Sequence, residues 1–94
     1  MTDTRMTAFV HGHVQGVGFR WWVRSRALEA GVAGHAANLR DGRVEVVAEG
    51  PESEVRGLLR LLEEEPSTAG RPGRVTTVVT QWTQSKGETG FGRR

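Results

Sequence analysis

Two stretches with helical spacing interrupt a chain that is otherwise β-prone, and their positions leave little choice of architecture. From Phe19 to Ala30 apolar residues recur at Phe19, Val23, Ala27 and Ala30, with Trp22 and Leu28 flanking that face and Gly31 following as a C-cap. The second stretch starts at Pro51, at a first helical position, and carries Val55, Leu58, Leu59 and Leu62 to about Glu64. Glu52 and Glu54 stand at its positive dipole end. Around these helices, Thr7 to His11, Ala33 to Leu39, Arg43 to Glu49 and Val75 to Trp82 have strand character. Asp41-Gly42 is a favoured tight-turn pair, so the middle two strands form a hairpin. The order β-α-β-β-α-β is the split βαβ arrangement, an α+β sandwich with two helices on one face of an antiparallel sheet.

Size and composition narrow the possibilities further. The 94 residues make one domain, 1–94, without the period of a solenoid. A chain this short buries about 60 to 65% of the surface its unfolded form exposes, and with no Cys it has no disulfide to help. Residues 1–5 and 85–90 are polar and expected to be less ordered, and Phe91 to Arg94 suffices only for a very short edge strand. No run approaches the ~20 apolar residues of a spanning helix, and Met1 to Met6 lacks the pattern of a signal peptide. A cytoplasmic protein without a membrane role is therefore expected. The net charge is +2, and the arginines are interleaved with glutamates along the whole chain. A nucleic-acid partner is not indicated, although a small anion is possible.

The chemistry concentrates in two places. His11-Gly12-His13-Val14-Gln15-Gly16-Val17-Gly18-Phe19-Arg20 is a glycine-containing loop running into a helix N-terminus. Such junctions bind anions through a nest of backbone N–H groups and the positive helix end, and Arg20 adds a planar fork. Spacing alone leaves open the plainer reading of a tight turn with a solvated arginine. The Lys-Ser or Lys-Thr of a nucleotide P-loop and the G-x-G-x-x-G fingerprint are both absent. Asn38 lies just before the Arg40-Asp41-Gly42 turn, where an Asn commonly makes local hydrogen bonds.

Val14-Gln-Gly-Val-Gly-Phe-Arg20, then Asn38-Leu-Arg-Asp41-Gly42-Arg-Val44-Glu45 and Glu49-Gly50, resemble the two signature regions of the acylphosphatase family. The resemblance runs from the first strand through the second helix. It implies a ferredoxin-like fold with a fifth short strand at Phe91 to Arg94, and hydrolysis of the carboxyl-phosphate bond of acyl phosphates. It also implies a phosphate-binding loop at Gln15, Gly16, Val17, Gly18, Phe19 and Arg20. The catalytic residues implied are Arg20 and the water-positioning Asn38. Three features depart from the family: His35 stands where a large aromatic is common, the 65–73 connection is long, and Gly92 occupies a commonly hydrophobic position.

Such chemistry needs few residues. The carboxylate leaving group of an acyl phosphate requires no protonation at neutral pH, so the absence of Asp or Glu from the loop is no obstacle. Neutralising the phosphoryl oxygens and placing a water in line would suffice. No metal and no cofactor are therefore expected; His11 and His13 alternate at a strand end without a visible third ligand. Trp21, Trp22 and Trp82 are expected in the core or covering the surface, since the third strand lacks the aromatics of an RNA-binding sheet. The partners expected are an acyl phosphate and inorganic phosphate, bound by a monomer. The alternative is a non-catalytic module of the same fold that binds an anion or a partner.

Overall fold

A computed structural model describes residues 3–94; the part of the irregular lead-in expected at Met1 and Thr2 lies outside the described residues. The chain runs β1 (Asp3–His13), α1 (Phe19–Ala30), β2 (Ala33–Asn38), β3 (Val44–Pro51), α2 (Glu52–Glu63), β4 (Arg74–Gln84) and β5 (Phe91–Arg93). The five strands lie in the order β4-β1-β3-β2-β5. Four of them pair antiparallel, but β5 runs parallel to β2, so the sheet is mixed and not purely antiparallel. β4 ends at Gln84 beside Thr4, at the end of the sheet where β2 begins, so a connection that crosses at that end returns beside β2 running parallel to it.

One apolar layer holds the sandwich together. Met6, Ala8 and Val10 of β1 face Ala48, Val46 and Val44 of β3 in register, and all six are fully buried. Over them α1 lays Phe19, Trp22, Val23 and Ala27, and α2 lays Val55, Leu58 and Leu62. Leu58 and Leu62 are each at most 1% exposed, so truncating either to Ala would cost about 2–5 kcal/mol. Of the two residues expected to flank the buried face, Trp22 joins the core while Leu28 is 49% exposed.

Several boundaries differ from the sequence reading, and Asp3, Thr4 and Arg5, expected to be less ordered, already pair with β3 as the start of β1. β1 continues past His11 because a register shift at His11/Gly12 lets Gly12 and His13 go on pairing with Val75 and Arg74. The glycine is needed there, since a Cβ would run into the Arg74 carbonyl oxygen. Pro51 ends β3 and caps α2 with an extended backbone (φ −56°, ψ 138°) in place of opening the helix. At the other end of α2, Arg71 Nη1 donates to the carbonyls of Leu61, Leu62 and Glu64 at 3.1, 2.9 and 2.7 Å. The long 65–73 connection thus returns an arginine to satisfy the helix's last acceptors.

The 85–90 stretch is organised around one carboxylate. Glu49, 3% exposed on the sheet face away from the helices, accepts from Ser85 Oγ at 2.7 Å and from the Lys86, Gly87 and Glu88 amides at 2.9, 3.0 and 3.0 Å. Arg5 Nη1 completes the cluster at 2.6 Å from Glu49 and 3.0 Å from Glu88. Burial alone would raise the Glu49 carboxyl, but the Glu88 and Lys86 amides, Arg5 and Ser85 outweigh it and hold its pKa at about 2. This anchor sets the path into β5, where Gly92 pairs beside buried His35. The small Gly92 and the imidazole thus occupy neighbouring places on the same sheet face, and burial lowers the His35 pKa.

Candidate active site

Gly16 and Gly18 have φ of 72° and 85°, in the left-handed region where only glycine sits without strain, so the loop between β1 and α1 depends on them. Gly18 is the N-cap of α1 and makes no side-chain capping bond. The first helical hydrogen bond runs from the Trp22 N–H to the Gly18 carbonyl at 3.1 Å. The preceding N–H groups therefore have no helical acceptor, and no acidic side chain stands in the first turn to take them. The helix start is open to an anion.

A cavity of about 140 Å³ opens at this point. Of the residues expected to bind or act on phosphate, it is lined by Gly16, Gly18, Phe19, Arg20 and Asn38, brought together from the loop, α1 and the end of β2. Val14, Trp21 and Arg93 complete the wall. The volume falls below the roughly 300 Å³ at which drug-sized ligand sites begin, matching a phosphoryl group with a short stub better than a nucleotide. A larger concavity of about 640 Å³ lies between Glu65 and Thr76. It lacks a glycine-capped helix start, and its Arg71 is occupied by α2.

Arg20 is held in place by its Nη1, which donates to the Arg94 carbonyl at 2.7 Å. Arg94 is in turn fixed to β2 by its N–H, 2.7 Å from the Ala36 carbonyl. Gln15 and Val17 do not line the cavity. Gln15 Nε2 instead donates to the Leu39 and Arg43 carbonyls at 2.7 and 2.9 Å, bridging the β2–β3 turn directly after Asn38. Val17 packs against the core beside Gly73. The Gln15 side chain thus organises the Asn38 hairpin, a role that sequence spacing does not show. Trp21 could have been anticipated from its place beside Arg20 in the first turn; Arg93 could not, because only the parallel pairing of β5 delivers it.

His11 and His13 stay apart from this arrangement, and among the described residues no three His, Asp or Glu side chains converge as metal ligands. Among the described residues no helix is long and apolar enough to cross a membrane.

Fold and cavity together define a ferredoxin-like α+β protein with an anion-receptive helix start. The sequence profile of the acylphosphatase family matches residues 6–92. An acylphosphatase of Corynebacterium efficiens is 63% identical over 90 residues, covering 96% of this chain and 91% of its own. That of Thermobifida fusca is 56% identical over 95 residues and covers both chains fully. The solved structure of an acylphosphatase from Coxiella burnetii superposes with a TM-score of 0.86 at 32% identity, over 99% of this chain and 94% of that one. The chain belongs to the acylphosphatase family, and with it to the hydrolases.

Proposed function

We propose that the protein hydrolyses the carboxyl-phosphate bond of small acyl phosphates to a carboxylate and inorganic phosphate by direct attack of water. The observation that carries this reading is the small cavity shared by Arg20, Asn38 and the Gly16–Phe19 loop. The loop amides and the Arg20 guanidinium bind the phosphoryl oxygens and offset the charge that gathers there as the bond breaks. Asn38, also on the cavity wall, hydrogen-bonds a water and holds it in line with the leaving carboxylate.

A neutral amide is too weak a base to take the water's proton, so the proton passes to a phosphoryl oxygen of the substrate. The carboxylate departs without a general acid, and neither a metal nor a covalent intermediate is required by this scheme. The protein acts as a cytoplasmic monomer.

Hydrolysis of benzoyl phosphate, followed with and without chelator, tests the reading. Turnover should be unaffected by chelator. Asn38→Ala should still bind inorganic phosphate in calorimetry while kcat falls by ~10² or more, whereas Arg20→Ala should weaken phosphate binding as well. Near-normal turnover by either variant would remove its assigned role, and no turnover by folded wild-type protein would favour a binding module.

A further inference from the structure

The cavity holds a second arginine besides Arg20. Arg93 lines it together with the glycine loop. Its guanidinium carbon lies over the Trp21 ring, 3.5 Å from the centroid, so the cation rests on the aromatic face. Arg24 approaches the same ring at 5.8 Å while its Nε donates to the Phe91 carbonyl at 3.2 Å. Among the described residues, none of Arg20, Arg24 and Arg93 has an Asp or Glu carboxylate within ion-pair distance. Arg93 is anchored through its backbone, since it pairs with Ala36, two residues before Asn38.

We infer that Arg93 and Trp21 form a subsite for the acyl half of the substrate, selecting acyl phosphates that carry a second anionic group. This rests on the acylphosphatase reading of the same cavity. With the phosphoryl group taken by Arg20 and the loop amides, Arg93 remains an unneutralised fork at the cavity wall. The half-exposed Trp21 ring that supports it offers an apolar face to the carbon skeleton. A carboxylate or second phosphate at the far end of the acyl group would meet the fork.

The test compares benzoyl phosphate with 4-carboxybenzoyl phosphate in wild type, Arg93→Met and Arg93→Lys, with thermal melting to verify folding. Arg93→Met should lower kcat/KM for the carboxylated substrate about 5–10-fold, mainly through KM, and for benzoyl phosphate less than about threefold. Arg93→Lys should retain part of the preference, and added salt should erode it in the wild type. Equal losses on both substrates, or none, would overturn the subsite. Binding of benzylphosphonate and 4-carboxybenzylphosphonate supplies a readout independent of turnover. Failure of wild type to hydrolyse either substrate would count against the acylphosphatase reading. Equal affinity for the two phosphonates would count against the subsite alone.

Discussion

Replacing Glu49 with Gln keeps the shape of the side chain and removes its charge. Five groups donate to that carboxylate: Ser85 Oγ, the Lys86, Gly87 and Glu88 amides, and Arg5. In the Glu49→Gln protein one acceptor becomes an NH₂ facing donors only, and Arg5 loses its buried partner. A carboxyl held at about 2, against an ordinary 4.5, corresponds to roughly 3 kcal/mol of preference for the ionised form. Because the folded value lies below the unfolded one, that stabilisation is complete at neutral pH. It is lost as the pH falls from about 4.5 toward about 2. Glu49→Gln should therefore be less stable than wild type by about 2–3 kcal/mol at pH 7, a fall in Tm of roughly 10–20 °C. Near pH 2.5 the two proteins should converge to within about 1 kcal/mol. Urea unfolding followed by tryptophan fluorescence at both pH values measures the gap, and other titrating groups cancel in the difference. A gap of the same size at both pH values would refute the assignment of the stabilisation to this charge.

Two further substitutions separate support from chemistry. Gln15→Ala removes both bonds to the Leu39 and Arg43 carbonyls and should reduce kcat about tenfold with KM less affected, because the Asn38 hairpin loosens; a change confined to KM would mean that Gln15 contacts the phosphate instead. Arg71→Met strips three acceptors at the end of α2 of their donor and should cost about 2–3 kcal/mol in chemical denaturation. Its kcat/KM at temperatures where it remains folded should stay within about twofold of wild type, and a larger loss would tie the 65–73 connection to the cavity.

The parts legible in the sequence are those written in local signals. Helical spacing marks α1 at its observed bounds, Asp41-Gly42 marks the hairpin, and the Gly16-Val17-Gly18 run preceding Arg20 marks the open helix start. Motif resemblance singles out Arg20 and Asn38, 18 positions apart in the chain, and the fold puts both on one cavity. What sequence reading misses depends on contacts between distant segments. Glu49-Gly50 belongs to the resembling motif, but no local signal shows that Arg5 and residues 85–88 close around the Glu49 carboxylate. Gln15 sits inside the glycine motif and reads as part of the loop, yet its side chain donates to a turn more than 20 residues away. Arg93 acquires its place only through parallel pairing of three residues, too few for any periodicity to reveal.

The central position of β1 has a consequence for how the protein is made. β1 is flanked on one side by β3 and on the other by β4, so neither neighbour exists when β1 leaves the ribosome. Its Met6-Ala8-Val10 row must stay unpaired until residues 44–51 and then 74–84 follow. Contacts this far apart in sequence impose a loop-closure cost before they return any stabilisation, which favours slow, concerted folding over stepwise growth. The anion loop hangs from the end of that same strand, so phosphate affinity should emerge only with the completed sheet and can serve as a reporter of native folding during synthesis.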